Sequence, residues 1–172
     1  MTTTGAARAT VPAVEVRRAG PDDLAAAGEL TLEAYAADGF ADPSYVARLR
    51  DTSTRDREAE LWVAADEDGL LGCVTYCPPG SPWREIAVDD SEGEFRMLAV
   101  PPAARGRGIG RLLVLRCLDR SRELGQQRVV LCSDKQMLAA HRLYASFGFT
   151  RLPERDWTPV PGVDLQAYSL AL

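Results

Sequence analysis

Short runs in which apolar and polar residues alternate recur along this chain, separated by stretches whose apolar residues return at a period near 3.6. Val14–Arg18 has the length and alternation of a first strand. Pro21-Asp22-Asp23 then supplies helix-start chemistry, a proline followed by two acids, for a helix through about Ala37. Asp42-Pro43-Ser44 is a second start signal. Tyr45, Val46 and Leu49 follow it at helical spacing, in a shorter helix that fades near Thr52. Leu61–Ala65 and Leu70–Tyr76 are rich in strand formers, and the acidic turn Asp66-Glu67-Asp68-Gly69 between them predicts a hairpin, ended by Pro78 to Pro82. Glu94–Val100 reads as the next strand. Pro101-Pro102 stops it, because proline has no amide hydrogen to give a ladder.

A glycine-rich turn, Arg105–Gly110, opens a helix with an apolar stripe of Leu113, Val114, Cys117, Leu118 and Leu124 and with Gly125 as its C-terminal cap. Val129–Cys132 is a short buried strand. Strand, crossover helix and strand together predict a right-handed βαβ unit, so this pair should be parallel. A last helix spans about Lys135 to Ser146 and ends at Gly148, and Phe149–Leu152 and Leu165–Leu170 read as final strands around the loop Pro153–Asp164. The fold class is α/β (α+β). Met1–Ala13 has no period and is expected to be a flexible N-terminal tail, leaving residues 14–172 as a single domain.

Composition narrows the classes. The 172 residues suffice for one well-packed core but not for two comfortable domains. No apolar run approaches the ~20 residues of a membrane span, and the amino terminus lacks the apolar centre of a secretory signal, so a cytoplasmic protein without membrane contact is expected. Cys73, Cys77, Cys117 and Cys132 form no CxxC pair and read as reduced thiols. A lone His141 leaves no second histidine for a His-based metal site, and no metal is expected. Charge is unevenly divided. Met1–Arg96 holds 9 basic and 19 acidic residues for −10, and Met97–Leu172 holds 11 basic and 6 acidic for +5. An anionic ligand should prefer the second half, where seven arginines lie between Arg105 and Arg128, yet an acidic chain is a poor general partner for nucleic acid.

A glycine-rich turn between a strand and a helix aims bare amides and the positive end of a helix dipole at whatever binds there, and phosphate is the natural guest. Gly106, Gly108 and Gly110 clear the approach, while Arg105, Arg107 and Arg111 offer charge-assisted donors. The Rossmann pattern fails because Arg111 stands where its third glycine belongs. The P-loop pattern fails because no lysine follows Gly110. A tight turn that merely needs glycines is the bland alternative.

Met97-Leu98-Ala99-Val100, a short gap, and Arg105-Gly106-Arg107-Gly108-Ile109-Gly110 resemble the strand and the R-x-x-G-x-G/A loop of the GNAT acetyltransferases. Ala140-His141-Arg142-Leu143-Tyr144-Ala145-Ser146-Phe147-Gly148-Phe149 is similar to that family's A-x-x-x-Y-x-x-x-G-F segment, one helix and one strand further on. The order of elements from Val14 to Leu170 also matches. The resemblance implies a mixed sheet of about six or seven strands flanked by about four helices, with a splayed parallel strand pair at the cofactor site. It implies acetyl-CoA as cofactor. Main-chain groups of Leu98, Ala99 and Val100 would hold the pantetheine arm, the stretch Arg105, Gly106, Arg107, Gly108, Ile109, Gly110 and Arg111 the pyrophosphate, and Tyr144 would approach the thioester sulfur. The family often dimerises, so a homodimer is expected. One departure is plain: the family usually has asparagine where this chain has Met137.

Acetyl transfer to an amine needs a neutral nucleophile, stabilisation of an oxyanion, and a proton for the departing thiolate. Tyr144 suits the third task. Glu94, at the start of the strand with the pantetheine contacts, could accept the amine's proton directly or through water, against the plain reading of a paired strand carboxylate. By resemblance alone, the oxyanion donor is the amide of Leu98. Asp38, Asp42, Glu85, Asp89, Asp90 and Glu92 with Tyr35, Phe40, Trp83 and Trp157 could line a pocket for a cationic amine, although loop acids are more often simply solvated. The leading reading is thus an N-acetyltransferase acting on a primary amine of a small molecule. The alternatives are a protein N-terminal or lysine acetyltransferase and a non-catalytic acyl-CoA-binding regulatory domain.

Overall fold

In the computed structural model, which describes residues 13–172, the alternating runs assemble into one eight-stranded sheet. In chain order the strands are β1 (Glu15–Arg18), β2 (Glu60–Asp66), β3 (Gly69–Cys77), β4 (Glu92–Ala99), β5 (Arg128–Asp134), β6 (Thr150–Arg151), β7 (Trp157–Val160) and β8 (Val163–Ala171). Their spatial order is β1-β2-β3-β4-β5-β8-β6, with β7 also on β8. Five helices accompany them: α1 (Leu24–Ala37), α2 (Val46–Arg50), α3 (Thr52–Glu58), α4 (Ile109–Glu123) and α5 (Leu138–Phe147). The expected tail over Met1–Ala13 lies, but for Ala13, outside the described residues.

The sheet is covered on both faces, as the strand sequences require. Along β2, Leu61 and Val63 pack with Ala27, Leu30 and Ala34 of α1, whereas the alternate positions Trp62 and Ala64 join the cluster around Leu113, Val114, Cys117 and Leu118 of α4. Full burial of each such aliphatic side chain contributes roughly 1.5–3 kcal/mol. Leu124, expected in the α4 stripe, caps the helix and is exposed; Gly125 follows it at φ 70°. Between the end of α4 and the start of β4, the buried Tyr76 hydroxyl donates to Gln126 Oε1 at 2.5 Å and lies 2.9 Å from Ser121 Oγ.

Two elements differ from the sequence expectation. The segment expected to fade near Thr52 restarts as α3, N-capped by the Asp51 carboxylate, which accepts from the Thr54 amide at 3.0 Å. Its inward residue is Arg55, fully buried, whose guanidinium donates to Thr75 Oγ1, Thr31 Oγ1 and the Leu49 carbonyl at 3.1, 3.3 and 2.7 Å. The expected loop Pro153–Asp164 contains β7, paired with β8 as a hairpin. The sheet therefore exceeds the expected six or seven strands by that added edge, and α3 adds the fifth helix. The remaining expectations hold within a few residues, including the parallel pairing of β4 with β5.

Candidate active site

β4 and β5 are paired only at Glu92↔Arg128, Gly93↔Val129 and Glu94↔Val130, and then diverge. A bulge accompanies the divergence. Arg96 faces Thr75 and Ala99 faces Cys73, so Met97 and Leu98 together oppose Val74, and Met97 adopts φ 51°. A non-glycine residue in this region is strained, and such strain gathers where a backbone must be re-aimed. Beyond Glu94 the main chain of β4, through Leu98 and Ala99, has β3 on one side and has lost β5 on the other. Val100 follows the strand end.

From there Pro101 and the single 3-10 turn Pro102–Ala104 lead into the glycine turn. Gly106 and Gly108 both take φ +76°, and Gly108 is the N-cap of α4 without a side chain to cap it. The Leu112 amide is the first to close a helical turn, onto the Gly108 carbonyl at 3.1 Å, so the amides ahead of it in the first turn have no intrahelical partner. A Cβ built on Gly106 or Gly108 meets nothing within 4 Å. Bare donors beside open space fit a pyrophosphate at a helix N-terminus. The arginines point elsewhere. Arg105 donates to the Val100 carbonyl at 3.1 Å and to both oxygens of Asp38 at 3.0 and 2.8 Å, and Arg107 donates to Asp66 Oδ2 at 2.8 Å. Arg111 lies 4.6 Å over the Phe147 ring. Their first contribution is to brace the turn.

Tyr144, on α5, is 5% exposed and packs edge-on against Phe95, with Phe149 and Tyr168 at centroid distances of 5.9 and 6.2 Å. Burial, with Cys117 and Tyr168 nearby, pushes its phenol above the usual range. Met137 is the N-cap of α5 and makes no capping hydrogen bond. Glu94 is 1% exposed. Its carboxylate accepts the amides of Glu85 (2.9 and 3.1 Å), Ile86 (3.2 Å) and Ala87 (2.9 Å), which ties the loop before β4 to the strand.

Glu94 also lines a cleft of about 920 Å³ whose walls are β4 from Glu94 to Met97, the end of β5 from Cys132, the 39–45 loop with Arg48, and the β7–β8 hairpin with Trp157 and Val160. Of the acids and aromatics expected around the acceptor, Asp42, Glu85, Tyr35, Phe40 and Trp157 line this cleft. Others are employed elsewhere: Asp38 holds Arg105, Glu92 is buried against Arg128 and Arg155, and Asp89 accepts from Ser91. Trp83 is buried beneath Arg48 and Arg96. Sequence reasoning missed Arg96 of β4, which pairs with Glu85 at 2.6 Å, and Ser133 of β5; it also missed Tyr45 and Arg48, because nothing in the pattern signals which face of a short loop-bound helix meets a cavity. Among the described residues no three His, Cys, Asp or Glu side chains gather as a metal site would need, and no helix is long and apolar enough to cross a membrane.

Comparison with known proteins converges on one family. The family model described as acetyltransferase (GNAT) matches residues 26–149. A mycothiol acetyltransferase of Sanguibacter keddieii is 34% identical over 153 residues, covering 81% of this chain and 44% of that protein; the chain thus spans less than half of this relative's length. Among solved structures, a GCN5-related N-acetyltransferase from Kribbella flavida superposes with a TM-score of 0.67 at 26% identity, covering 92% of this chain and 98% of the other. A GNAT family acetyltransferase from Brucella melitensis in complex with acetyl-CoA, at 21% identity and a TM-score of 0.64, shares the fold over 94% of this chain and 90% of its own.

Proposed function

We propose that this chain, which belongs to the acetyltransferase (GNAT) family, transfers an acetyl group from acetyl-CoA to a primary amine carried by a small molecule. Membership brings acetyl-CoA, which supplies the acetyl group as an activated thioester. The chain's own contribution is to hold and orient it: the amides of Arg105–Arg111 at the uncapped start of α4 for the pyrophosphate, and the free edge of Leu98, Ala99 and Val100 for the arm. Glu94, on the cleft wall, accepts the proton that the amine sheds, directly or through a water. Tyr144 donates its phenolic proton to the leaving group, a task within reach of a phenol, which carries its proton at neutral pH.

The observation that carries the small-molecule reading is the cleft itself. About 920 Å³ in volume, it is lined by Trp157, Pro159, Val160 and Pro161 of the β7–β8 hairpin together with Phe40, Ala41 and Tyr45, a size and lining that suit a compact acceptor. We also place the reaction in the cytoplasm, because all four cysteines are unpaired.

A free-thiol release assay with acetyl-CoA against small primary amines and peptides tests the reading. Turnover of a small amine with higher kcat/KM than any peptide is expected. Turnover confined to peptides would replace it with the protein-acetylating reading, and cofactor binding without turnover on either panel would favour a regulatory domain.

A further inference from the structure

Six charged side chains line the acceptor cleft: Asp42, Arg48, Glu85, Glu94, Arg96 and Asp134. Five of them are already matched. Asp42 accepts from the Ser44 amide at 2.8 Å, Asp134 from the Gln136 amide at 2.9 Å, and Glu94 from three amides; Glu85 and Arg96 hold each other at 2.6 Å. Arg48 is the exception. Among the described residues no carboxylate lies within ion-pair distance of it, although it lines the cleft from a fixed position.

That position is built. The Arg48 guanidinium carbon stands 4.6 Å above the Trp83 ring, and the indole is locked in turn, its Nε1 donating to Glu58 Oε2 at 3.1 Å. The backbone beside Arg48 is pinned by Arg55, which donates to the Leu49 carbonyl at 2.7 Å, and Leu49 is fully buried. Two further donors share the spot. Tyr35 and Tyr45 line the same cleft and pack against the Leu49, Trp83 and Met97 cluster, and no described residue accepts a hydrogen bond from either hydroxyl. A guanidinium and two phenols thus line one cleft, and none of their donors is taken by a described carboxylate or carbonyl. The group that satisfies such a set is an oxyanion, and a planar carboxylate matches the guanidinium fork.

We infer that the acceptor carries a carboxylate beside its amine, as an amino acid does, and that Arg48, Tyr35 and Tyr45 hold that carboxylate while the amine faces Glu94. The inference rests on the small-amine reading and narrows it. Arg48, on α2, then sets specificity, and proton transfer is left to Glu94 of β4.

The test pairs each of a series of amino acids with its own carboxamide, which keeps the amine and removes the negative charge. Two readouts are taken on the wild type and on Arg48→Gln: thiol release from acetyl-CoA, and the thermal shift that each compound produces in the presence of CoA. Wild type should favour at least one free acid over its amide by roughly ten- to hundredfold in kcat/KM, as a charged hydrogen bond would give. Arg48→Gln should raise KM for that acid by a similar factor, leave KM for acetyl-CoA unchanged, and bring the acid-to-amide ratio close to one. Arg48→Lys should restore part of the preference. Amides accepted as well as acids, or a ratio untouched by Arg48→Gln, would overturn the carboxylate assignment while the small-amine reading stands. Peptide-only turnover would overturn both.

Discussion

A Cβ built on Gly93 would stand 2.1 Å from Ser121 Oγ, and 2.7 Å from Gln126 Oε1. The start of β4 therefore touches the end of α4 without room for a methyl group, at the last stretch where β4 still pairs with β5. Gly93→Ala should cost about 1–3 kcal/mol by overpacking, read as a lower urea midpoint. Removing the obstructing hydroxyl with Ser121→Ala should recover part of that loss. Equal losses in the two backgrounds would contradict the contact.

Gly108 and Gly125 both sit at positive φ, 76° and 70°, at the two ends of α4. Valine at either site should destabilise the fold by about 1–2 kcal/mol, the left-handed penalty of a side chain. Only Gly108→Val should abolish the thermal protection that CoA gives, because only there would bulk cover the free amides. Protection surviving in Gly108→Val, or lost in Gly125→Val as well, would remove the pyrophosphate assignment.

Tyr144→Phe keeps the ring that packs on Phe95 and removes only the hydroxyl. If the phenol supplies the proton, kcat should fall by about a hundredfold or more, with KM for acetyl-CoA within roughly threefold of wild type. Parallel loss of kcat and cofactor affinity would make the residue a packing element instead.

Burial alone would raise the pKa of Glu92, but Arg155, the Val88 amide and Arg128 together hold it down to about 2 from the ordinary 4.5. A depressed carboxylate stabilises the fold fully above its unfolded value and stops doing so as pH falls through the folded one. Glu92→Gln should therefore lose stability near neutral pH, and its gap to wild type should close between about pH 4.5 and pH 2. Urea titrations across that range provide the measurement, and a gap independent of pH would refute the linkage.

Legibility in the sequence followed the physics of each element. The turn at Gly106 and Gly108 was readable because glycine marks positive φ, and the β4–α4–β5 crossover because its apolar spacing changes period twice. α3 was not, since its Thr-Ser-Thr-Arg-Asp-Arg-Glu sequence has no apolar stripe and buries Arg55, a residue that hydrophobic periodicity counts as surface. β7 was hidden by Pro159, which reads as loop but is tolerated on an edge strand, and by Pro161 and Gly162, which form the turn into β8. The direction of a side chain was the least accessible quantity. Nothing in the run Arg105-Gly106-Arg107 distinguishes a guanidinium aimed at a ligand from one that grips Asp38 or Asp66.

The parting of β4 from β5 after Glu94 leaves main-chain donors and acceptors of the central strands without ladder partners on that side. Backbone groups in such a place must be matched or wetted. An amide-bearing arm laid along that edge would supply the missing rungs. If the arm binds there as proposed, substrate loading would also be the final act of sheet assembly.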